Sequence, residues 1–331
     1  MEPVVVNRAG GDVGRINKEA PDRILGLRPG TLRGLKQYRY FERLDAVEIA
    51  AALANRRMAL FKSTGAISID VDIQTRESPG AWHSRAPLVI RLQPPDGGKR
   101  TPSRDSWQVF APFLASLPSL LAEAGVGEVR FRGGSHLSAA VALGAALPTT
   151  TVWRVSVTGS DGSVWDDPGD GLAADVACES EHLAPGGHLA VMVDCVPGAA
   201  HNAFKGLVNQ LQGQVGATLR IRAAHTDMVA PGQGAATANV IARRIRDEAA
   251  QRGTTGVHLA MRAPFPLALM LGRRLNTLEV ALYEWEGDEG TGFYEPTIRV
   301  ASGQGKGIEV TSEATVVSQL RAKERERTEG H

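Results

Sequence analysis

The sequence predicts an α/β protein built from two fused units, each with a parallel sheet, that are related by a pseudo-two-fold internal duplication. Strand and helix patterns alternate from residue 88 onwards, which implies parallel sheets covered on both faces. The length of 331 residues, of which 43% are hydrophobic, is sufficient for two such units. A shift of 128 positions aligns residues 128–157 with residues 256–285 without a gap. The units are therefore expected to be Rossmann-like and to share a crevice at the carboxyl ends of their strands.

The elements of the first half are predicted from the spacing of its apolar residues. Residues 66–73 alternate apolar and polar side chains as a half-buried strand does, and apolar residues at helical spacing indicate helices. The predicted strands are Ala66–Ile73, Leu88–Leu92, Glu128–Arg132 and Val152–Val157, and the predicted helices are Leu44–Arg57, Trp107–Ala124 and Leu137–Leu147. Asp161–Gly171 is acidic and rich in turn residues, so we expect it to join the two halves.

The second half repeats this order with one additional strand and helix in front. The predicted strands are His188–Cys195, Thr218–Ala223, Gly256–Met261 and Glu279–Trp285, and the predicted helices are one that ends near Gln212, Ala235–Gln251 and Pro264–Leu275. Under the same shift Gly144 falls on Gly272 and Gly125 falls on Gly253. Shared glycine positions in equivalent elements support an internal duplication.

Four segments follow from this organisation. Residues 1–60 are predicted to be an N-terminal extension available for docking a partner, and residues 61–171 the first half. Residues 172–310 are predicted to be the second half, and residues 311–331 a charged tail.

The composition excludes several classes of partner and location. Lys and Arg number 37 against 36 Asp and Glu, whereas proteins that coat duplex nucleic acid carry a basic excess that neutralises phosphates. Two cysteines are too few for a disulfide framework. The chain shows neither a signal-sequence pattern nor an apolar run of about 20 residues. We therefore expect a cytoplasmic protein without membrane association and without direct binding to duplex nucleic acid.

The known catalytic motifs are missing from the sequence. Gly98-Lys99 lacks the upstream glycine of a phosphate-binding loop, and Gly232-Gln233-Gly234 is followed by Thr237 where the dinucleotide fingerprint requires Gly or Ala. The eight histidines are scattered without the spacing of metal ligands, and Cys195 is expected to be a small core residue. We therefore expect no catalytic residues, no metal and no cofactor, and an enzyme is the less favoured class.

The turns that follow the repeated strands are the best candidates for a binding site. Arg132–His136 contains two glycines that allow a ligand to approach the backbone, and a serine suited to capping the next helix. Exposed N–H groups there would favour a phosphate. The equivalent turn, Arg262–Phe265, also offers an arginine and a ring, and the pair suits an anionic, base-containing ligand. The alternative is that the arginines are surface charges and Phe265 belongs to the core.

Aromatic residues are scarce but concentrate near these turns. Stacking of a base on an aromatic ring is worth roughly 1–3 kcal/mol. The alternative, that aromatic residues of strands belong to the core, stays open for each of them. The candidates are Trp153, Trp165, Tyr283, Trp285, Phe293 and Tyr294.

Two motifs near the C-terminus resemble the signature of the SAVED domain. One is Leu271-Gly272-Arg273-Arg274-Leu275-Asn276, in an Ala/Leu-rich helix that follows a turn with proline. The other is Tyr283-Glu284-Trp285, at the end of the next strand. The resemblance covers roughly Arg85–Val300, by motif over about the last 50 residues and by topology before them.

The resemblance implies two fused CARF-like units that sense a cyclic oligonucleotide second messenger in bacterial anti-phage defence, in CBASS operons or type III CRISPR systems. It further implies a tri- or tetranucleotide that contains adenine, and self-association into an oligomer or filament on binding. About 85 residues precede the first repeat, too few for a typical effector domain. The resemblance therefore implies a separate effector protein as partner.

A ring of phosphates needs positive groups and backbone N–H donors, and its bases need stacking faces and polar groups, so the sequence provides a candidate set of ligand-binding residues. The phosphates would meet Lys99, Arg100, Arg132, Gly133, Gly134, Ser135, His136 and Arg262. The bases would meet Trp153, Phe265, Tyr283 and Trp285, with His201 and Asn202 reading base edges.

Two alternatives from other classes remain open at this point. A ring nuclease would cleave the same ligand with an oriented 2′-hydroxyl and stabilising cations, which needs no metal. A fixed regulatory subunit would bind its effector permanently through the first 60 residues.

Overall fold

The computed structural model describes residues 4–7, 67–76, 86, 88–92, 101–168, 171–196, 201–224, 229–287, 292–301 and 308–310. For residues 4–7, 201–202 and 308–310 only the backbone is described. The predicted helix Leu44–Arg57 and the charged tail 311–331 lie outside the described residues, and so do Lys99 and Arg100.

The described chain alternates strands and helices as predicted. The strands are β1 (Val4–Asn7), β2 (Ile67–Gln74), β3 (Leu88–Arg91), β4 (Val126–Gly134), β5 (Arg154–Thr158), β6 (Val164–Asp167), β7 (Val176–His182), β8 (His188–Asp194), β9 (Val215–Ala223), β10 (Gly256–Arg262), β11 (Glu279–Glu286), β12 (Phe293–Ala301) and β13 (Ile308–Val310). The helices are α1 (Arg104–Glu123), α2 (Leu137–Ala146), α3 (His201–Gln210), α4 (Gly234–Gln251) and α5 (Phe265–Gly272).

The strands form two sheets with the same strand order. The first sheet runs β1-β3-β2-β4-β5-β6, and the second runs β7-β9-β8-β10-β11-β12 and is extended by β13. The four central strands of each sheet are parallel. This topology confirms the predicted fold class, two fused Rossmann-like units with internal duplication.

The sheet edges differ from the prediction because they contain antiparallel strands. β6 pairs antiparallel with β5, β7 with β9, β12 with β11 and β13 with β12. β6 lies inside Asp161–Gly171, so part of the segment expected as a joint is an edge strand. Six of the seven residues of β7 are exposed, so its sequence carries no apolar alternation that would identify a strand.

The first sheet also includes residues 4–7, which belong to the segment predicted as an extension. β1 pairs in parallel with β3, with Val4 opposite Leu88 and Asn7 opposite Arg91. The four segment boundaries stay a prediction.

The two long helices, α1 and α4, end in the same way. Gly125 and Gly253 follow their C-terminal caps with φ angles of 63° and 65°, in the left-handed region where glycine carries no steric penalty. These glycines occupy equivalent positions of the two halves, so the duplication extends to the helix ends.

Helices α2 and α5 form the contact between the two halves. Both are apolar on nearly every side, which is typical of a helix buried all round. A Cβ atom on Gly144 of α2 would lie 2.0 Å from the carbonyl oxygen of Leu269, and one on Gly272 of α5 would lie 2.1 Å from that of Val141. The two backbones therefore approach each other more closely than any other residue would allow.

A buried ionic cluster holds the C-terminal ends of these helices. Arg273 donates from Nη1 to Asp167 Oδ2 at 2.9 Å and from Nε to the carbonyl of Leu147 at 2.7 Å. Arg274 donates to both oxygens of Asp167, at 2.7 Å each. Asp167 belongs to the first half and both arginines to the second, so the Leu-Gly-Arg-Arg-Leu-Asn motif connects the halves.

Candidate ligand-binding crevice

The geometry of α2 and α5 places the strand ends of the two halves on the same side of the molecule. The N–H of Thr149, just after α2, donates to the carbonyl of Arg273, just after α5, at 3.1 Å. Because the C-terminal ends of the two helices are together, their N-terminal ends lie on one common side. These N-terminal ends follow β4 and β10, and ligands of open α/β sheets bind outside the carboxyl ends of the strands. We call this region, with the ends of β2, β4, β8 and β10, the crevice.

The turn before α2 is fixed by buried polar contacts. The N–H of His136 donates to Oγ1 of Thr75 at 2.6 Å, and Nδ1 of His136 lies 2.9 Å from the same oxygen. Ser135 is buried and donates to the carbonyl of His136 at 2.9 Å. Ser135 and His136 are therefore part of the framework of the turn, and their contact with a ligand stays a prediction.

The N-terminus of α2 differs from the expectation of exposed N–H groups. The N–H and Oγ of Ser138 both donate to Oε1 of Glu284, at 2.6 and 2.9 Å. Glu284 is buried and comes from β11 of the second half, so an internal carboxylate occupies the position where a phosphate was expected. The expectation that this helix offers free donors is wrong for Ser138 and for His136.

A second carboxylate of β11 makes a similar contact with the first half. Oε2 of Glu286 accepts from the N–H and the Oγ1 of Thr101, at 2.8 and 2.6 Å. Thr101 lies two residues before Ser103, whose Oγ caps α1 by accepting from the N–H of Ser106 at 3.2 Å. Glu284 and Glu286 together connect β11 to the starts of two helices of the other half.

The two predicted arginines each pair with an aspartate on the neighbouring parallel strand. Arg262 of β10 donates from Nε to Asp194 Oδ1 at 2.8 Å, and from Nη2 to Asp194 Oδ2 at 3.3 Å and to the carbonyl of Val196 at 2.6 Å. Nε of Arg132 on β4 lies 3.7 Å from Oδ2 of Asp72 on β2. The contact of Arg132 with its aspartate is the longer of the two, and Arg132 is the more exposed side chain, at 45% against 27% for Arg262.

The two glycines before α2 have different surroundings. Gly133 has a φ angle of 111°, and a Cβ atom there would lie 2.2 Å from the carbonyl oxygen of Ile73. Gly134 faces open space, with no atom within 4 Å of a Cβ atom. A glycine is needed at position 133 because of its positive φ angle and the close approach to Ile73, whereas the space beside Gly134 is open.

Two predicted stacking residues lie away from the crevice. Trp153 is buried at the start of β5, on the opposite edge of the sheet, and its carbonyl accepts from Arg273 at 3.1 Å. Tyr283 is buried among the residues under α3, and its hydroxyl lies 2.8 Å from Nδ1 of His258. The structure places both in the core, so their assignment to the crevice is wrong. Strand aromatics are core residues more often than ligand contacts, and these two follow that tendency.

The other predicted residues have mixed positions. Phe265 begins α5 at the crevice, is half-buried and packs against the main core. Trp285 is half-buried, packs against the cluster under α3, and covers Gly292. His201 and Asn202 begin α3, just after the end of β8, and only their backbone is described.

Cys195, the buried cysteine just after β8, is not an activated nucleophile. Burial raises the pKa of the Cys195 thiol to about 12, so this cysteine is protonated and unreactive. Within the described residues no three His, Cys, Asp or Glu side chains are grouped closely enough to hold a metal ion. None of the described helices is long and apolar enough to cross a membrane.

Four carboxylates that shape the crevice were not predicted from the sequence, namely Asp72, Asp194, Glu284 and Glu286. All four lie at or near strand ends, where the predicted ligand contacts are cations and rings. Two signals were present in the sequence, since Glu284 lies in the Tyr-Glu-Trp motif, and Asp72 and Asp194 lie near or at the ends of predicted strands.

Two Rossmann-like units that meet through their helices, with their strand ends on one common side, define a duplicated α/β protein. A family model described as "SMODS-associated and fused to various effectors sensor domain" (SAVED) matches residues 115–300. The chain belongs to the SAVED family, as the resemblance predicted. Among curated proteins, the comparison finds no match.

Solved structures with this fold include bacterial receptors. The Acinetobacter baumannii Cap4 SAVED/CARF-domain containing receptor with the cyclic trinucleotide 2′3′3′-cAAA gives a TM-score of 0.55 at 16% identity, over 77% of this chain and 55% of that one. The same receptor with 3′3′3′-cAAA gives a TM-score of 0.52 at 18% identity, over 76% and 55%. At this identity the likeness shows the fold, and this chain spans about half the length of the receptors.

Proposed function

We propose that this protein is a sensor that binds a cyclic oligonucleotide second messenger, a tri- or tetranucleotide containing adenine, in the crevice between its two halves. The chain belongs to a family of sensor domains. The observation that carries the proposal is that a half-exposed arginine, Arg132, lies beside a glycine turn at the strand ends. The solved receptors of this fold have cyclic triadenylates as their named ligands, which supports a cyclic trinucleotide as the first ligand to test.

The chemistry of the crevice supports a ligand with both anionic and polar neutral parts. Arg132 supplies a cation that a phosphate can contact, because 45% of its side chain is exposed at the strand end. Phe265, half-buried at the start of α5, supplies a ring against which a base can stack. Lys99, Arg100, His201 and Asn202 belong to the proposed site by their position in the sequence.

We further propose that ligand binding drives self-association and that a separate effector chain gives the output, in the cytoplasm of a bacterium defending itself against phage. The two halves meet through the close packing of α2 and α5. A ligand bound across the crevice would contact the strand ends of both halves and change the angle between the halves. No catalytic role is proposed for any described residue.

Light-scattering chromatography with a panel of cyclic di-, tri- and tetranucleotides tests the proposal, with the nucleotide recovered and identified afterwards. An increase in particle mass with one intact ligand supports the sensor. Binding accompanied by loss of the ligand replaces it by a ring nuclease, and a constant complex with a neighbouring gene product replaces it by a fixed subunit. A folded protein that binds no member of the panel overturns the proposal.

A further inference from the structure

Asp72 is the buried carboxylate of the crevice whose hydrogen bonding is incomplete. It lies near the end of β2, and its side chain is nine-tenths buried. Across the part of the chain that the structure describes, the only buried side-chain polar atoms without a hydrogen-bond partner are Oδ1 of Asp72 and Nε1 of Trp153. A buried acceptor without a partner is costly, so such atoms are rare and usually have a functional reason.

An aspartate at the end of the equivalent strand of the second half, two register positions further along than Asp72, has no such vacancy. Asp194 lies at the end of β8, which is the equivalent of β2 in the second sheet, and both of its oxygens accept from Arg262. Asp70 lies two residues before Asp72 on the same face of β2, and its Oδ1 is 2.8 Å from Nε of Arg130. The unused acceptor is therefore specific to Asp72 and does not reflect the strand or the face.

The surroundings of Asp72 connect it to the glycine turn and to Arg132. A Cβ atom on Gly133 would lie 2.6 Å from Oδ1 of Asp72, so this glycine keeps the turn directly beside the unused oxygen. The positive charges of Arg91, which is buried, and of Arg132 balance the carboxylate. An ionised carboxylate at this place can accept hydrogen bonds but cannot donate them.

We propose that Asp72 is a ligand-reading residue of the crevice, and that its Oδ1 accepts a hydrogen bond from a nucleotide donor, either an exocyclic amino group or a ribose 2′-hydroxyl. The inference rests on the proposed function. Oδ1 is buried in the free protein and lies directly against the turn at Gly133, while Arg132 faces the other oxygen, Oδ2. Oδ1 becomes accessible when the ligand shifts this turn into the open space beside Gly134.

The test compares two isosteric variants of the same strand by calorimetric titration with 3′3′3′-cAAA. Asp72→Asn is expected to bind about ten- to a hundredfold more weakly than the wild type, because a hydrogen bond to a charged group is lost. Asp70→Asn is the matched control, and its affinity is expected to equal that of the wild type. The melting temperature of each variant shows whether a loss of binding reflects unfolding, and Asp72→Ser provides a second, smaller substitution.

Ligand analogues identify the donor. In one analogue all three adenines are replaced by purine, which lacks the 6-amino group, and in the other all three 2′-hydroxyls are replaced by hydrogen. The analogue that lacks the correct donor is expected to bind the wild-type protein more weakly than the parent ligand does. For this analogue the Asp72→Asn variant is expected to bind nearly as well as the wild type, because the hydrogen bond is already absent.

Each outcome decides the inference. Equal affinity of wild type and Asp72→Asn for a bound ligand overturns it and leaves the proposed function intact. Weaker binding of Asp72→Asn with the same ratio for the parent ligand and both analogues also overturns it, since Asp72 would then only position its neighbours. Absence of wild-type binding to any cyclic nucleotide of the panel overturns the proposed function and this inference with it.

Discussion

Gly144 and Gly272 are equivalent residues of the two halves, and each lies against the backbone of the other half's helix. A Cβ atom on Gly144 would meet the carbonyl of Leu269, and one on Gly272 would meet the carbonyl of Val141, the residue equivalent to Leu269. The contact is therefore self-complementary, as it is in a symmetric dimer. Because the two backbones are so close, the helix pair is sensitive to any added side-chain atom at these two positions.

Gly144→Ala is expected to lower the free energy of unfolding by about 1–3 kcal/mol or more, because the added methyl group overlaps a backbone carbonyl that cannot move freely. Urea denaturation measures the change. The control is Gly206→Ala in α3, where no atom lies within 4 Å of the new Cβ atom and a gain of roughly 0.5–1 kcal/mol is expected. Equal stability of the two variants would contradict the close helix contact.

Asp167→Asn is expected to lower the free energy of unfolding by about 3–5 kcal/mol, because two buried guanidinium groups lose the carboxylate that accepts from both of them. Asp166→Asn, one residue earlier and exposed, is the control and is expected to stay within about 0.5 kcal/mol of the wild type. Both are measured by urea denaturation at neutral pH. An Asp167→Asn variant with the same free energy of unfolding as the wild type would mean that the ionic cluster does not hold the halves together.

The stability of the protein is expected to fall in mild acid because of His258. Burial, with smaller effects of His188 and Arg299, lowers the pKa of His258 to about 3, while the unfolded chain takes up the proton near 6.5. The unfolded state therefore binds more protons below pH 6.5, and stability decreases as the pH falls from 6.5 towards 3. Between pH 7.5 and 5.5 this residue contributes a loss of about 1.4 kcal/mol.

Urea denaturation at the two pH values measures this effect as a difference between wild type and His258→Gln. The variant is expected to be less stable at pH 7.5, because the contacts of His258 with Tyr283 and His188 are lost, but to lose less stability on acidification. An identical pH dependence of both proteins would show that His258 does not titrate as its burial requires.

Arg132→Gln is expected to weaken binding of a cyclic trinucleotide about tenfold or more, since a charge-assisted contact with a phosphate is lost. Some loss of melting temperature is expected, because Arg132 balances the nine-tenths buried carboxylate of Asp72, and the charge of Arg91 limits that loss. Arg130→Gln is the control, two residues earlier on β4 and paired with Asp70. Equal weakening in both variants would point to general electrostatic attraction and away from a specific contact.

The central part of the fold was predictable because its strands are buried on both sides and its helices have strong apolar periodicity. β8 and β10 are almost fully buried and are located in the sequence to within a residue or two. The edge strands were not predictable in the same way. β7 is exposed and β6 is four residues long, so pairing with a neighbour, and not hydrophobic pattern, determines that they are strands.

The candidate site was predictable in place but not in detail. The duplication locates Arg132 and Arg262 at strand ends, and the structure shows both there. The sequence does not reveal that Arg262 is held by Asp194, since their proximity depends on the pairing of β8 with β10. Tyr283 was misassigned because a strand residue can face either side of its sheet, and only the structure shows that this one faces α3.

Fusion of the two halves into one chain has a consequence for recognition. In a dimer of identical subunits both strand edges must carry the same groups, so a ligand can be turned over without change. Here one edge holds its arginine in a closed ion pair with Asp194, and the other leaves Arg132 within reach of solvent. The proposed ligand, a ring of repeating nucleotides, would meet a different set of groups at each edge, so even a symmetric ring would be held in one orientation.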